Sequence, residues 1–374
     1  MQTKRIAMFG HKRIPSREGG VEIVTEVLST RMAALGHEVT CFNRSGQHVG
    51  GKQFNTEMMR EYRGVRLKSV WTLDRKGLAA VTSSFSAAVC SAFSNADVVH
   101  IHAEGPAFMS WLPKLLGKKV VVTVHGLDWQ REKWKGGFGA KYIRAGERMA
   151  VRFADKIIVL SRNVQKYFLE TYGRETVYIP NGVNRPEILP VEQIRQKWGL
   201  EKDGYILFLG RLVPEKGIHY LIEAYKQLHT EKKLVIAGSV SDTDVYGRSL
   251  QELAAGCENI LFAGFVQGQL LEELYSNAYL YVLPSDVEGM PLSLLEAMSY
   301  GNCCVVSDIS ECTEVVEDNA VVFPKGNVIQ LMNCLQMLCD DRDKVFAMKR
   351  AVQSFVCSKY NWDDITQRTL ELYQ

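Results

Sequence analysis

The sequence predicts an α/β protein built from two doubly wound domains facing a central cleft, and three observations carry that expectation. Short apolar runs alternate with longer amphipathic stretches, which is the pattern of parallel βαβ units. The 374 residues exceed one ordinary core and suit two. Turn chemistry interrupts the series at Pro180-Asn181-Gly182, with Pro186 and Pro190 close behind.

Taken in order, the first half offers strands at 5–10, 38–42, 97–102, 119–124, 156–160 and 177–179. Helical periodicity lies between them at 21–35, 140–153 and 163–172. A second series of strands runs over 205–209, 233–237, 259–262, 279–283, 303–307 and 320–323, each followed by a helical stretch. Helices at 328–339, 344–358 and 363–373 close the chain. The expected domains are 1–183 and 184–358, with a last helix over 359–374 returning to the first. In such sheets, loops at the carboxyl ends of the strands form the ligand site.

Composition narrows the function. With 46% hydrophobic and 23% charged residues, the chain is neither disordered nor fibrous. Nine cysteines without a C-x-x-C pair argue against a disulfide framework or a cysteine-rich zinc site, and read as small core residues in a reducing compartment. The apolar run after Met1 is too short for a secretory signal, and nowhere do 18 apolar residues follow one another. A net charge of +3 hides a split: residues 1–185 carry 29 basic and 15 acidic side chains, the remainder 16 and 27. The basic half should face something anionic. No zinc-finger, RNP or KH pattern accompanies it, so nucleic acid is not expected, leaving a membrane surface or a phosphorylated substrate.

The sharpest motif runs from Ser285 through Glu288, Gly289, Met290, Pro291 and Leu292 to Glu296. A strand enters a loop, and a helix starts near Pro291, where proline suits the first helical position. The amides of Gly289, Met290 and Leu292 would then face a phosphate or sugar oxygen. Glu288 and Glu296 could hold two polyols; equally, they could be an acidic cap and an exposed helix residue. A second motif, Gly210-Arg211…Lys216-Gly217, also follows a strand. Arg211 can fork onto two phosphate oxygens and Lys216 can add a point charge; the plain alternative is surface charge beside Glu215.

In the first half, Gly19 and Gly20 let backbone amides approach a phosphate, and the basic run around Arg13 would lie at the mouth of the site. Neither a dinucleotide fingerprint nor a P-loop is present. His125 and Asp128 lie just past a buried strand, where His125 could touch a reacting group or serve as a turn histidine. His100 and His102, with Glu104 following, have the spacing of metal ligands but lack a third. Asp242-Thr243-Asp244 reads as a polar turn. Trp129, Lys133, Trp134 and Lys135 interleave aromatics with cations, which suits anionic lipid headgroups or, alternatively, a solvated basic face over packed tryptophans.

Together, Gly19-Gly20, His125-Gly126, Asn181-Gly182, Gly210-Arg211…Lys216-Gly217 and Glu288…Glu296 resemble the retaining glycosyltransferases of family four, in the family's order and across nearly the whole chain. That family has the GT-B architecture of two Rossmann-like domains. Gly10-His11-Lys12-Arg13-Ile14-Pro15, His102-Ala103-Glu104-Gly105-Pro106 and His125 to Gln130 look more narrowly like bacterial polysaccharide β-rhamnosyltransferases. The resemblance implies a nucleotide-diphosphate sugar as donor, dTDP-rhamnose in the narrower reading; the basic first half and the Trp129–Arg144 stretch add the expectation of a lipid-diphosphate-linked saccharide as acceptor at the cytoplasmic face of a membrane. A UDP- or GDP-hexose, sugar-nucleotide epimerisation or donor binding without catalysis are the alternatives. By the same resemblance Arg211 and Lys216 hold the diphosphate with the Gly19 and Gly20 amides, and Glu288 with the Gly289–Leu292 amides holds the donor sugar. Glu296 takes the ribose, the main chain at Phe265 and Val266 meets the base, and His125 lines the donor–acceptor junction. No metal or cofactor is expected. An inverting enzyme of the same architecture would instead use Asp128 or Glu104 as general base.

Overall fold

The computed structural model describes residues 2–45, 59–73, 75, 77–130, 137–239 and 244–374. These form two compact units, one of Met1–Asn181 with Trp362–Gln374 and one of Gly182–Asn361.

The first unit runs β1 (Arg5–Phe9), α1 (Gly20–Ala34), β2 (Glu38–Arg44), β3 (Glu61–Tyr62), β4 (Val65–Val70), α2 (Leu78–Ala92) and β5 (Val98–His102). It continues with α3 (Glu104–Ala107), α4 (Trp111–Leu115), β6 (Lys119–Val124), α5 (Phe138–Phe153), β7 (Lys156–Val159), α6 (Arg162–Tyr172) and β8 (Val177–Tyr178). The sheet order is β3-β4-β2-β1-β5-β6-β7-β8, and every pairing is parallel except β3 with β4. β5 is buried along its whole length and β6 from its second residue on. That is why β6 reads as a valine run broken only by Thr123, and why β5 buries even His100 and His102: helices cover both faces of a parallel sheet. Each fully buried Val or Ile contributes roughly 1.5–3 kcal/mol.

The second unit runs α7 (Gln193–Trp198), β9 (Tyr205–Leu209), α8 (Ile218–Tyr225), β10 (Lys233–Ala237), α9 (Asp244–Ala254), β11 (Ile260–Gly264), α10 (Gln269–Asn277) and β12 (Leu280–Leu283). Then follow α11 (Leu292–Ser299), β13 (Cys303–Ser307), α12 (Ser310–Val316), β14 (Ala320–Phe323), α13 (Val328–Asp340) and α14 (Arg342–Lys359). Its sheet is wholly parallel, in the order β11-β10-β9-β12-β13-β14. The order reverses between β9 and β12, so the switch point of the sheet lies where the two second-half motifs emerge.

The last helix, α15 (Trp362–Glu371), belongs to the first unit. Arg31 pairs with Asp363 at 3.0 Å, and Arg368 donates to the Tyr178 carbonyl at 2.6 Å. The buried Tyr373 hydroxyl lies 2.6 Å from His100 Nδ1.

The strand series matches the expected α/β pattern in both halves. Six elements went unseen: β3, β4, α2, α3, α4 and α7. The Ala/Ser-rich α2 carries no charged residue, so no polar face sets off its apolar one.

Candidate functional site

In the second unit the carboxyl ends of three adjacent strands are tied by backbone. The Gly210 amide donates to the Ala237 carbonyl at 3.0 Å, and the Gly238 amide to the Gly264 carbonyl at 2.8 Å. Gly238 has a positive φ of 146°, and a Cβ there would lie 1.8 Å from the Gly210 carbonyl oxygen, so only glycine permits this approach. From that rim the chain passes the exposed Arg211, makes a single turn over Pro214–Lys216 and reaches Gly217 in the left-handed region. A Cβ on Gly217 would meet the Pro284 carbonyl at 2.0 Å. The Asp286 amide donates to the Glu215 carbonyl at 2.8 Å. The two motif loops are therefore one structure.

Their contact carries the charge. Lys216 Nζ sits 2.6 Å from Glu288 Oε1. The Ser285 hydroxyl donates to the same oxygen at 2.6 Å, and Ser307 donates to the Ser285 carbonyl at 2.5 Å. After Gly289 and the buried Met290, Pro291 is the N-cap of α11, with extended backbone, rather than its first helical residue. The reason is that its carbonyl accepts from the Leu294 and Leu295 amides at 3.1 and 3.2 Å, which makes it the half-in residue. The amides through Leu292 precede that first intrahelical bond, and the helix dipole adds positive potential there. Glu296 is half-buried on α11, where its Oε2 accepts from the Tyr275 hydroxyl at 3.1 Å. Val266 is buried and Phe265 half-buried just past β11.

In the first unit the sequence candidates occupy the carboxyl ends of β1, β5 and β6. Gly10 turns with φ 112°, and a Cβ there would meet the His102 carbonyl at 2.0 Å. Asn43 clamps the loop that follows: its Oδ1 lies 3.0 Å from His11 Nε2 and accepts from the Ile14 amide, while its Nδ2 donates to the Ile14 carbonyl. Arg13 is half-buried in that loop, and burial lowers its pKa. Gly19 is the N-cap of α1, with Gly20 the first helical residue. The Glu22 carboxylate folds back over Gly19 and accepts from the Lys12 amide at 2.9 Å.

His125 is buried, with its Nε2 3.1 Å from His102 Nδ1. His100 stacks on His102 at 4.3 Å between ring centroids, and its Nε2 lies 2.7 Å from the Thr123 hydroxyl. Burial holds His100, His11 and His102 neutral: His100 is lowered to about 3 and His11 to about 4. His102 is lowered further by its histidine neighbours. His100 and His102 are thus sheet-core residues, and among the described residues no group of three His, Cys, Asp or Glu could hold a metal ion.

Glu104 is buried, and its Oε2 accepts from the Asp128 amide at 2.8 Å. Burial, then the charges of Asp128 and Glu147 and a hydrogen bond with Glu147, push its carboxyl well above the usual range. It is a proton-holding brace for the turn at Asp128 rather than a solvent-facing base. Trp129, expected at an interface, packs on the core of this unit with the Arg144 guanidinium 4.1 Å from its ring centre. Lys133, Trp134, Lys135 and Asp242 lie outside the described residues.

The structure brings Arg211, Lys216, Glu288, the Gly289–Leu292 segment and Glu296 onto one end of the second sheet, and Arg13, Gly19, Gly20, Glu104, His125 and Asp128 onto the matching end of the first. Sequence reasoning gave Tyr275 no part in this, named Ser285 only as the start of a motif and read His102 for metal-ligand spacing rather than as a partner of His125. Its place at the opening of the loop, three residues before Glu288, was the available signal for Ser285.

Residues 18–185 match the family described as Glycosyltransferase Family 4, and residues 190–355 match Glycosyl transferases group 1. A glycosyltransferase of Methanocaldococcus jannaschii, named as uncharacterized, is 28% identical over 301 residues, covering 74% of this chain and 75% of that protein. Among solved structures, the chain is similar to sucrose-phosphate synthase from Thermosynechococcus elongatus, with a TM-score of 0.82, 21% identity and coverage of 99% and 98%. It is also similar to Anabaena HepE in complex with UDP and glucose, with a TM-score of 0.81, 17% identity and coverage of 98% of each chain.

Proposed function

The chain is a GT-B glycosyltransferase of the family-four kind, and we propose that it moves a deoxyhexose from a nucleotide diphosphate to a saccharide hydroxyl with retention at the anomeric carbon. The donor is dTDP-rhamnose and the acceptor a saccharide on a lipid diphosphate at the inner face of a membrane. The single observation that carries the reading is the Lys216–Glu288 contact of 2.6 Å, braced by Ser285 and set beside the amino end of α11.

A diphosphate leaves only if the charge gathering on it is met without reorganisation. Arg211, Lys216 and the α11 amides supply fixed positive potential. Glu288 orients the sugar hydroxyls, Glu296 the ribose, and the chain at Phe265 and Val266 the base. The C1–O bond to the diphosphate breaks while the acceptor oxygen bonds C1 from the same face. The hydroxyl proton passes to the departing phosphate oxygen, so no protein nucleophile is required. Residues 1–183 with the final helix hold the acceptor, the Gly19 and Gly20 amides assist the phosphates, and His125 lines the junction.

A screen of dTDP-rhamnose, UDP-glucose and GDP-mannose, read as release of nucleoside diphosphate in the presence of acceptor, tests the donor. Arg211→Ala and Lys216→Ala each lower turnover by roughly a hundredfold or more; near-normal transfer by the double variant overturns the assignment. NMR of the product separates retention from inversion. A UDP-hexose donor is the second reading, favoured by the solved neighbour that carries UDP and glucose.

A further inference from the structure

Helix α2 turns an apolar face to solvent. Leu78 is 46% exposed, Phe85 50% and Phe93, its C-cap, 75%. With the half-buried Val89, these positions fall within about 80° of arc on the helix. The opposite side, Ala79, Ser83, Ala87 and Ser91, is buried against the unit. No residue of α2 is charged.

The apolar surface continues onto the end of α4. Leu115 is 68% exposed and Leu116 44%. Lys118 Nζ donates to the Ser94 carbonyl at 2.7 Å, which ties the turn after α4 to the residue that follows Phe93. Exposed apolar side chains gathered on two adjoining elements mark an interaction site rather than scattered surface residues.

Among the described residues the rim is cationic. Arg75 lies at the start of α2, its carbonyl accepting from the Leu78 amide, and Lys118 and Lys119 lie at the other end. The nearby charges that are paired cancel one another: Lys114 with Asp155 at 2.5 Å, and Arg5 with Asp97 at 2.6 Å. No carboxylate stands on α2 or α4. A second copy of the chain fits this surface poorly. A two-fold axis at the middle of α2 would set the Arg75 end of one copy against the Lys118–Lys119 end of the other, cation against cation.

We propose that the α2–α4 face is where this protein lies on an anionic lipid surface, with Phe85, Phe93 and Leu115 entering the headgroup layer and Lys118 and Lys119 meeting lipid phosphates. No described helix is long and apolar enough to cross a membrane, so the attachment is in-plane. It shifts the membrane contact from the Trp129 segment to a different side of the first unit. It needs no donor, so it stands or falls separately from the transfer reaction.

The test is co-sedimentation of the full chain with vesicles of about three parts phosphatidylcholine to one of phosphatidylglycerol, against phosphatidylcholine alone, at low and high salt. The wild-type chain is expected to bind the anionic vesicles and to release as salt rises. Phe85→Ser, Phe93→Ser and Leu115→Ser replace exposed side chains, so the fold persists, and each lowers vesicle affinity about tenfold. A Phe93→Trp variant should shift its emission to the blue on binding. Wild-type chain left in the supernatant at low salt, or a triple serine variant that still sediments, overturns the proposal. So does a wild-type dimer in sedimentation velocity that the triple variant converts to monomer, since the face would then belong to a second copy.

Discussion

Ser285 gives its one proton to Glu288, the oxygen that also faces Lys216. Hydrogen bonds to charged groups contribute about 1.5–3 kcal/mol, so Ser285→Ala should cut turnover tenfold or more if Glu288 must hold one orientation while the sugar leaves. Steady-state kinetics with the transferred donor check this, and a variant with unchanged kcat would show that Lys216 alone suffices. The sequence displayed Glu288, Lys216 and the glycine turns, because those residue types in those settings have a chemistry of their own. Ser285 was in plain view but silent, since a hydroxyl acquires its meaning only when two loops meet, and the Asp286 to Glu215 backbone bond that joins them spans 71 residues of chain. His102 offered only metal-ligand spacing for the same reason: its partner His125 comes from the end of the neighbouring strand.

At the scale of elements, the strands were legible because a buried parallel strand is a short, nearly unbroken run of Val, Ile and Leu, as in Lys119–Val124 and Lys233–Ala237. β4 alternates only at its start, with Val65 and Leu67 buried before Val70 is buried out of step, and lies towards the sheet edge. α2 escaped because periodicity needs contrast and its outward face is as apolar as its inward one. Helix α5 hides the opposite kind of constraint. Gly146 sits in its middle, where exchange for Ala would ordinarily gain about 1 kcal/mol. Here a Cβ would lie 1.9 Å from the Glu104 carbonyl oxygen, so α5 must back away from α3. That movement also pulls the next residue, Glu147, from its hydrogen bonds with Tyr167 and Tyr172 at 3.0 and 2.7 Å. Gly146→Ala should therefore lose about 1–3 kcal/mol, the reverse of the helix-propensity sign. Urea unfolding measures it; a stabilised variant would mean that α5 and α3 are not in backbone contact.

For the molecule as a whole, the buried histidines of the first unit set a pH limit. His100 is lowered to about 3 and His11 to about 4, and His102 is lowered well below its ordinary value, chiefly by burial. Below pH 6.5 the unfolded chain binds protons at these rings that the folded chain refuses, so stability must fall as pH falls. Each such histidine forfeits roughly 2 kcal/mol between pH 6.5 and 5. Glu104 works with the opposite sign: its raised carboxyl keeps a proton that the unfolded chain releases above pH 4.5, so its contribution is lost as pH rises. Asp97, held at about 2 by its hydrogen bonds with Arg5, titrates below this window and does not confuse it. In the second unit His219 is half-buried, with Asp286 and Glu223 opposing its desolvation, so acid weighs on it less. Calorimetry from pH 7 to 5 should show a first-unit transition falling by several degrees while the second unit's moves little. His100→Gln, which keeps an amide for the Tyr373 hydroxyl or Thr123, should flatten the fall by about one proton's slope. A first-unit midpoint that stays level to pH 5 would mean that these rings accept protons in the folded state, and that the sheet beneath the site is open to water.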